Sequence, residues 1–139
     1  MSKITRYERS VKNLLSEILP GYVFEKVRPD FLKNPATGRN LELDLYCSEL
    51  DLFVDVQGPE HRIFPNYISR KGYQSYEDYL DLRLRDEFKL ATCLDQGMKV
   101  IVLVMPVRKE ILKSRLVNEL TKLDIELGPR KFRYSHFRR

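Results

Sequence analysis

The chain has 139 residues, 42% hydrophobic and 32% charged, which suits one folded domain with one core and excludes a disordered or fibrous class. No stretch approaches the ~20 consecutive apolar residues of a membrane span, and the polar, charged run Met1 to Ser10 does not read as a secretory signal. Net charge is +5, from 25 Lys and Arg against 20 Asp and Glu, a mild bias toward polyanions; the two cysteines, Cys47 and Cys93, lack zinc-ligand spacing and read as free thiols of an intracellular, reducing compartment.

Thr5 to Leu19 is predicted as an amphipathic helix, with Tyr7, Val11, Leu14, Leu15 and Ile18 at helical spacing and Pro20-Gly21 as its stop. Tyr22 to Val27 reads as a short strand, and a loop with Pro29, Asn34-Pro35 and Thr37-Gly38 follows. Leu41 to Tyr46 then alternates with period two, leucines on one face and Glu42, Asp44 and Tyr46 on the other. Leu52 to Gln57 alternates again, with Leu52, Val54 and Val56 against Phe53, Asp55 and Gln57. With a turn at 47–51 the two make a hairpin ended by Gly58-Pro59.

After a long loop, a helix is expected from about Ser75 to Asp95, stopped by Gly97. It carries two stripes, one of Leu80, Leu84, Phe88, Ala91 and Leu94, the other of Leu82, Asp86, Lys89 and Cys93. Val100 to Met105 is a continuous apolar run, the mark of a strand buried on both faces. Lys109 to Leu123 reads as a last amphipathic helix. The expected fold is therefore α/β: a mixed sheet with helices on both faces, its hairpin joined to the apolar strand by a helical crossover.

Pairing the hairpin about its turn sets Asp44 opposite Asp55 or one residue away, with Glu42 and Gln57 beside them. Like charges opposed in a sheet are unfavourable. A hard divalent cation removes that penalty, because Mg²⁺ takes carboxylate oxygens and keeps several waters. Alternating acids are also ordinary on a solvated hairpin face. Against that bland reading, a hairpin feeding an apolar strand belongs in mid-sheet, and Tyr46 and Phe53 are large for bare solvent.

The run VRPDFLKNPATGRNLELDLYCSELDLFVDVQGPEHRIF, with YEDYLDLRLRDEFKLATCLDQGMKVIVLVMP after it, resembles PD-(D/E)XK endonuclease-like proteins. The nearest branches are the very-short-patch-repair-like nucleases and uncharacterised homologues of large DNA viruses. The resemblance covers about Val27 to Pro106. It implies a restriction-endonuclease-like αβββαβ core and a Mg²⁺- or Mn²⁺-dependent DNA endonuclease. It gives Asp44 the role of the first Asp and Asp55 that of the (D/E), with the carbonyl of Val56 as a further metal ligand. Gln57 stands in the Lys place, a departure from the motif. Lys89 is the candidate for a basic residue moved to the following helix. Pro29-Asp30 is a literal Pro-Asp and an alternative for the first acid, but it precedes a loop, and its plain reading is a turn dipeptide.

Each supporting residue has a plain alternative. Glu8 is the positional match for a helix-borne metal ligand, or a surface Glu. Glu42 is a ligand or a solvated strand residue. His61 contacts phosphate or water, or neither. Asp86 and Lys89 form a salt-bridged pair, or Lys89 faces the hairpin. Arg62, Arg70 and Lys71, near Tyr67 and Tyr73, track a phosphate backbone or belong to a polar loop. The tail at about 128–139 sets Arg130, Lys131, Arg133, Arg138 and Arg139 among Phe132, Tyr134, His136 and Phe137, and has the same two readings.

The sequence thus points to a single nuclease-like domain over 1–139 with a basic-aromatic tail. DNA is the expected partner, no membrane is, and a second copy or partner protein is expected for target recognition. A non-catalytic nucleic-acid-binding module on the same fold is the rival that Gln57 favours. An enzyme acting on RNA is a weaker one.

Overall fold

The computed structural model describes residues 4–58 and 76–130. The order is α1 (Arg6–Ile18), β1 (Glu25–Val27), β2 (Leu43–Cys47), β3 (Leu52–Gln57), α2 (Tyr76–Asp95), β4 (Lys99–Val104) and α3 (Lys109–Lys122). The four strands form one sheet in the order β1-β2-β3-β4. β1 with β2 and β2 with β3 are antiparallel, while β3 and β4 are parallel, as the connection through α2 requires. The expected mixed α/β sheet is present, and the hairpin occupies its two central places.

α1 starts at a capping box. Glu8 N–H donates to Thr5 Oγ1 at 3.2 Å, and Thr5 N–H donates to Glu8 Oε1 at 2.8 Å. Two of the helix's otherwise orphaned donors are satisfied in this way. The Thr-x-x-Glu signal at Thr5 and Glu8 is present in the sequence. The helix buries Val11, Leu14, Leu15 and Ile18.

Two apolar clusters flank the sheet. Val11, Leu14, Leu15 and Ile18 of α1 pack with Leu112, Leu116 and Leu120 of α3 onto Leu45, Leu52, Val54, Val56, Ile101 and Leu103. On the other face Cys93 of α2 and Met98 join Leu32, Leu43 and Phe53, with Tyr46 and Phe88 packed against them. Tyr46 and Phe53 are a cross-strand pair, so their shared face is covered. The Tyr46 hydroxyl donates to Asp51 Oδ1 at 2.8 Å, and burial with that bond pushes its pKa up to about 12.

Four expectations are corrected. The strand near Tyr22 is only Glu25–Val27. β4 is not covered on both faces: Ile101 and Leu103 are buried, but Val102 is 37% exposed. At this margin of the sheet the α2-side cluster reaches Val100 and leaves Val102 outside it, among the described residues. On α2, Asp86 and Cys93 of the mixed stripe are buried, while Leu80, Leu84 and Leu94 of the more apolar stripe are exposed. The fourth correction concerns β2. Its leucines do not share one face, since Leu43 joins the α2-side cluster and Leu45 the other.

The register explains that division. Glu25 pairs with Tyr46 and Val27 with Leu43, so Lys26 alone faces both Asp44 and Leu45. One extra residue on β2 makes a bulge, which bends the strand, increases its twist and re-aims side chains.

Candidate functional site

The β2–β3 ladder is made by two pairs beside the turn, Tyr46 with Phe53 and Cys47 with Leu52. Asp44 and Asp55 both lie beyond this paired stretch, and the bulge at Asp44 and Leu45 interrupts the register between them. The hairpin pairing therefore stops short of its two acids, and β2 turns its other edge to β1 through the bulge.

Into this end of the hairpin come residues from two other elements. The Lys26 ammonium of β1 donates to Asp44 Oδ1 at 3.2 Å. The same nitrogen lies 3.6 Å from Glu8 Oε1 and 3.8 Å from Glu42 Oε1. Arg28 lies 3.6 Å from Glu42 Oε2 and donates to the carbonyl of Asn40 at 3.1 Å. Three carboxylates thus surround one ammonium, from α1, the approach to β2, and β2 itself. The Lys26 side chain is 15% exposed, so it meets solvent at one side only. Burial pulls its pKa down, but the neighbouring Asp44 carboxylate, with Glu8 and Glu42 behind it, outweighs burial and leaves the pKa raised.

Glu8 is the strained member. Burial raises its carboxyl above the ordinary range, and contact with the Asp44 carboxylate raises it further, against the opposing pull of the Thr5 amide and Lys26. At 6% exposure Glu8 is not the surface residue of its plain alternative. The cap bond also gives Glu8 a purely structural task, which the Thr-x-x-Glu spacing could have signalled.

Asp55 is buried at 7% exposure on β3. Gln57 is buried too, and its Nε2 donates to Asp55 Oδ2 at 2.9 Å. Val56 between them sends its side chain into the α1/α3 core, leaving its backbone carbonyl for any ligand role. Across on α2, the Cys93 thiol is pushed up to about 11 by burial; it feels Lys89 in the opposite sense and Asp55 in the same one. Lys89, one turn before Cys93 on the same stripe, is half-buried. Asp86 of that stripe is buried.

The expectation that Glu42, Asp44 and Tyr46 share one face with Asp55 does not hold. Tyr46 packs against the α2-side cluster, whereas Glu42 and Asp44 gather at Lys26 with Glu8. The bulge at Asp44 and Leu45 breaks the period on which that expectation rested. Asp30 of Pro29-Asp30 accepts from Asn40 Nδ2 at 3.0 Å, and the Pro29 carbonyl accepts from the Leu32 amide, so this dipeptide does serve a turn. Arg130 Nε donates to Glu49 in the hairpin turn, and its amide donates to the Pro20 carbonyl at 2.7 Å. The first residues of the tail are thus pinned to the fold. His61, Arg62, Arg70, Lys71, Lys131 and Arg133 lie outside the described residues.

Sequence reasoning missed Lys26. It belongs to no motif, and its place among the acids follows from the β1–β2 register alone.

Among the described residues, no three acid, thiol or imidazole side chains already form a metal-ligand group. The donor chemistry nevertheless fits a hard divalent cation, which takes carboxylate oxygens. Glu8, Glu42 and Asp44 share the single positive charge of Lys26, so the cluster keeps an excess of carboxylate. No helix among the described residues is long and apolar enough to cross a membrane.

No protein family model matches the chain, and no solved structure matches it. It is similar to three viral proteins. Uncharacterized protein 307L of Invertebrate iridescent virus 6 is 34% identical over 106 residues, covering 72% of this chain and 50% of that protein. Uncharacterized protein 033L of Invertebrate iridescent virus 3 is 36% identical over 78 residues, covering 56% and 38%. Uncharacterized protein 094L of Frog virus 3 is 36% identical over 83 residues, covering 60% and 52%. The chain thus matches about half or less of each relative's length.

Proposed function

We propose that the chain is a PD-(D/E)XK-like, metal-dependent DNA endonuclease domain. The observation that carries this reading is the gathering of Glu8 from α1 with Glu42 and Asp44 around Lys26, at the end of a central hairpin whose second strand carries the buried Asp55. Three carboxylates outnumber the one ammonium they share, so an added cation would balance charge that Lys26 alone does not.

Asp44, Asp55, Glu8 and Glu42 are the side chains that would hold Mg²⁺ or Mn²⁺, with the Val56 carbonyl as a backbone donor. When bound, such an ion supplies charge to a phosphodiester and lowers the pKa of water. The reaction is hydrolysis: water adds its hydroxyl to phosphorus, the bond to one sugar oxygen breaks, and the second water proton ends on that oxygen. Gln57 carries no titratable proton, so its amide orients water beside Asp55 instead of deprotonating it. Lys89, on the α2 stripe that carries Cys93, would add positive charge beside that water. Fixed groups of this kind lower the barrier by electrostatics and positioning.

The test is nicking of supercoiled plasmid with Mg²⁺ or Mn²⁺, against an EDTA control. Metal-dependent nicking supports the reading. The rival is a nucleic-acid-binding module that has lost turnover. It is favoured by Gln57 in the Lys place and by an ammonium already seated among the acids. Gel shift of DNA without nicking in either metal would establish the rival.

A further inference from the structure

We infer that Lys26 supplies the cationic contact to the scissile phosphate of the proposed hydrolysis, a task no sequence motif assigns to it. This rests on the nuclease reading above.

The geometry is specific. Lys26 is the residue that the bulge sets against Asp44, and its ammonium lies 3.2 Å from Asp44 Oδ1 and 3.6 Å from Glu8 Oε1. Any phosphodiester drawn to an ion on those carboxylates arrives beside this nitrogen. An ammonium has three donors, of which one is committed to Asp44. Glu42 lies farther off, at 3.8 Å, and already has Arg28 beside it. The nitrogen can therefore turn a donor to a phosphoryl oxygen without abandoning Asp44. With 15% of its side chain exposed, it is open to a ligand yet shielded enough to keep its field strong. Gln57, bonded to Asp55, brings no charge. Lys26 is thus a cation seated directly against Asp44.

A merely structural Lys26 would hold the three acids together and nothing more, so the experiment must separate the two roles. Lys26→Met and Lys26→Arg are compared with the full wild-type chain in single-turnover cleavage at saturating Mn²⁺ and DNA. Gel shift in Ca²⁺ and a thermal melt accompany each. We expect Lys26→Met to lose about 100-fold or more in rate, the scale for deleting one oxyanion donor, with DNA affinity changed far less. Lys26→Arg should recover part of the rate, because it keeps the charge. If the methionine variant cleaves at the wild-type rate, or regains that rate when Mn²⁺ is raised, Lys26 only organises the acids and the inference is overturned. Should that variant not fold, the wild-type chain decides. Uncleavable phosphorothioate duplex in Ca²⁺ should protect Lys26, but not exposed Lys12, from amine acylation read by mass spectrometry. Equal labelling of Lys26 with and without the duplex overturns the contact. A wild-type chain that does not nick DNA at all defeats the nuclease reading itself, before any variant is compared.

Discussion

The Lys26 ammonium stands 3.2 Å from the Asp44 carboxylate, although eighteen residues and a long loop separate them in the chain. Three acids share that one cation, so neutralising one acid does not strand the lysine. Asp44→Asn should therefore fold and melt close to wild type. The same is expected of Asp55→Asn, where the amide preserves shape and one acceptor for Gln57. Either change should cut plasmid nicking by on the order of 100-fold or more while gel shift persists. A variant that keeps most of its nicking would remove that residue from the site.

Lys89→Ala should lower the single-turnover rate more than it lowers DNA affinity, because the proposed role of Lys89 is at the attacking water. Rate and affinity falling together would make Lys89 a plain phosphate contact.

Glu8 makes a pH-dependent prediction with a definite sign. Its folded-state pKa is raised, by burial first and by Asp44 second. The folded state therefore binds this proton more tightly than the unfolded chain does. The stability from this group is fully present below the ordinary glutamate value, and it is lost as pH rises through the raised one. Glu8→Gln keeps the capping box, since Gln serves at that position as well as Glu. It should flatten the fall of melting temperature across that pH window and leave the neutral-pH melt equal to or above wild type. Mn²⁺ should raise the melting temperature of the wild type more than that of Glu8→Gln. An identical metal response in both would exclude Glu8 as a ligand.

The C-terminal segment divides at Arg130. Arg130 is bound to Glu49, with both side chains substantially exposed, and its amide is bound to Pro20. Arg130→Ala should cost at most about 1 kcal/mol, the scale of an exposed ion pair, and leave DNA binding unchanged. Deleting 131–139 removes Lys131, Arg133, Arg138 and Arg139. It should leave the melt unchanged and flatten the salt dependence of binding, by ~0.9 in log–log slope for each duplex phosphate that the shortened chain no longer neutralises. A lowered melting temperature with an unchanged slope would assign the tail to packing or to a subunit interface instead.

Much of this molecule is local information. The spacing of Val11, Leu14, Leu15 and Ile18 sets α1, and Pro20-Gly21 ends it. Alternation sets β3 from Leu52 to Gln57, and the apolar run near Val100 sets β4. Each depends on residues a few positions apart, whose period tells helix from strand. The hairpin, its central place and the crossover to a parallel strand follow from element order and chain connectivity. Three matters were decided only by tertiary structure. The bulge opposite Lys26 is a mismatch between two strands, and neither strand encodes it alone; it divides Leu43 from Leu45 and parts Asp44 from Tyr46. The choice of α2's buried stripe, with Asp86 and Cys93 inside and Leu84 outside, depended on what the sheet offered as a partner surface, not on which stripe was more apolar. The company of Glu8, Lys26, Glu42 and Asp44 is the clearest case. Alternation marks Asp44, and a helix position marks Glu8, but a long-range contact has no period to read. It exists because α1 packs against the hairpin with its first turn at the open end, and only the folded chain brings that turn and β1 to the same carboxylate.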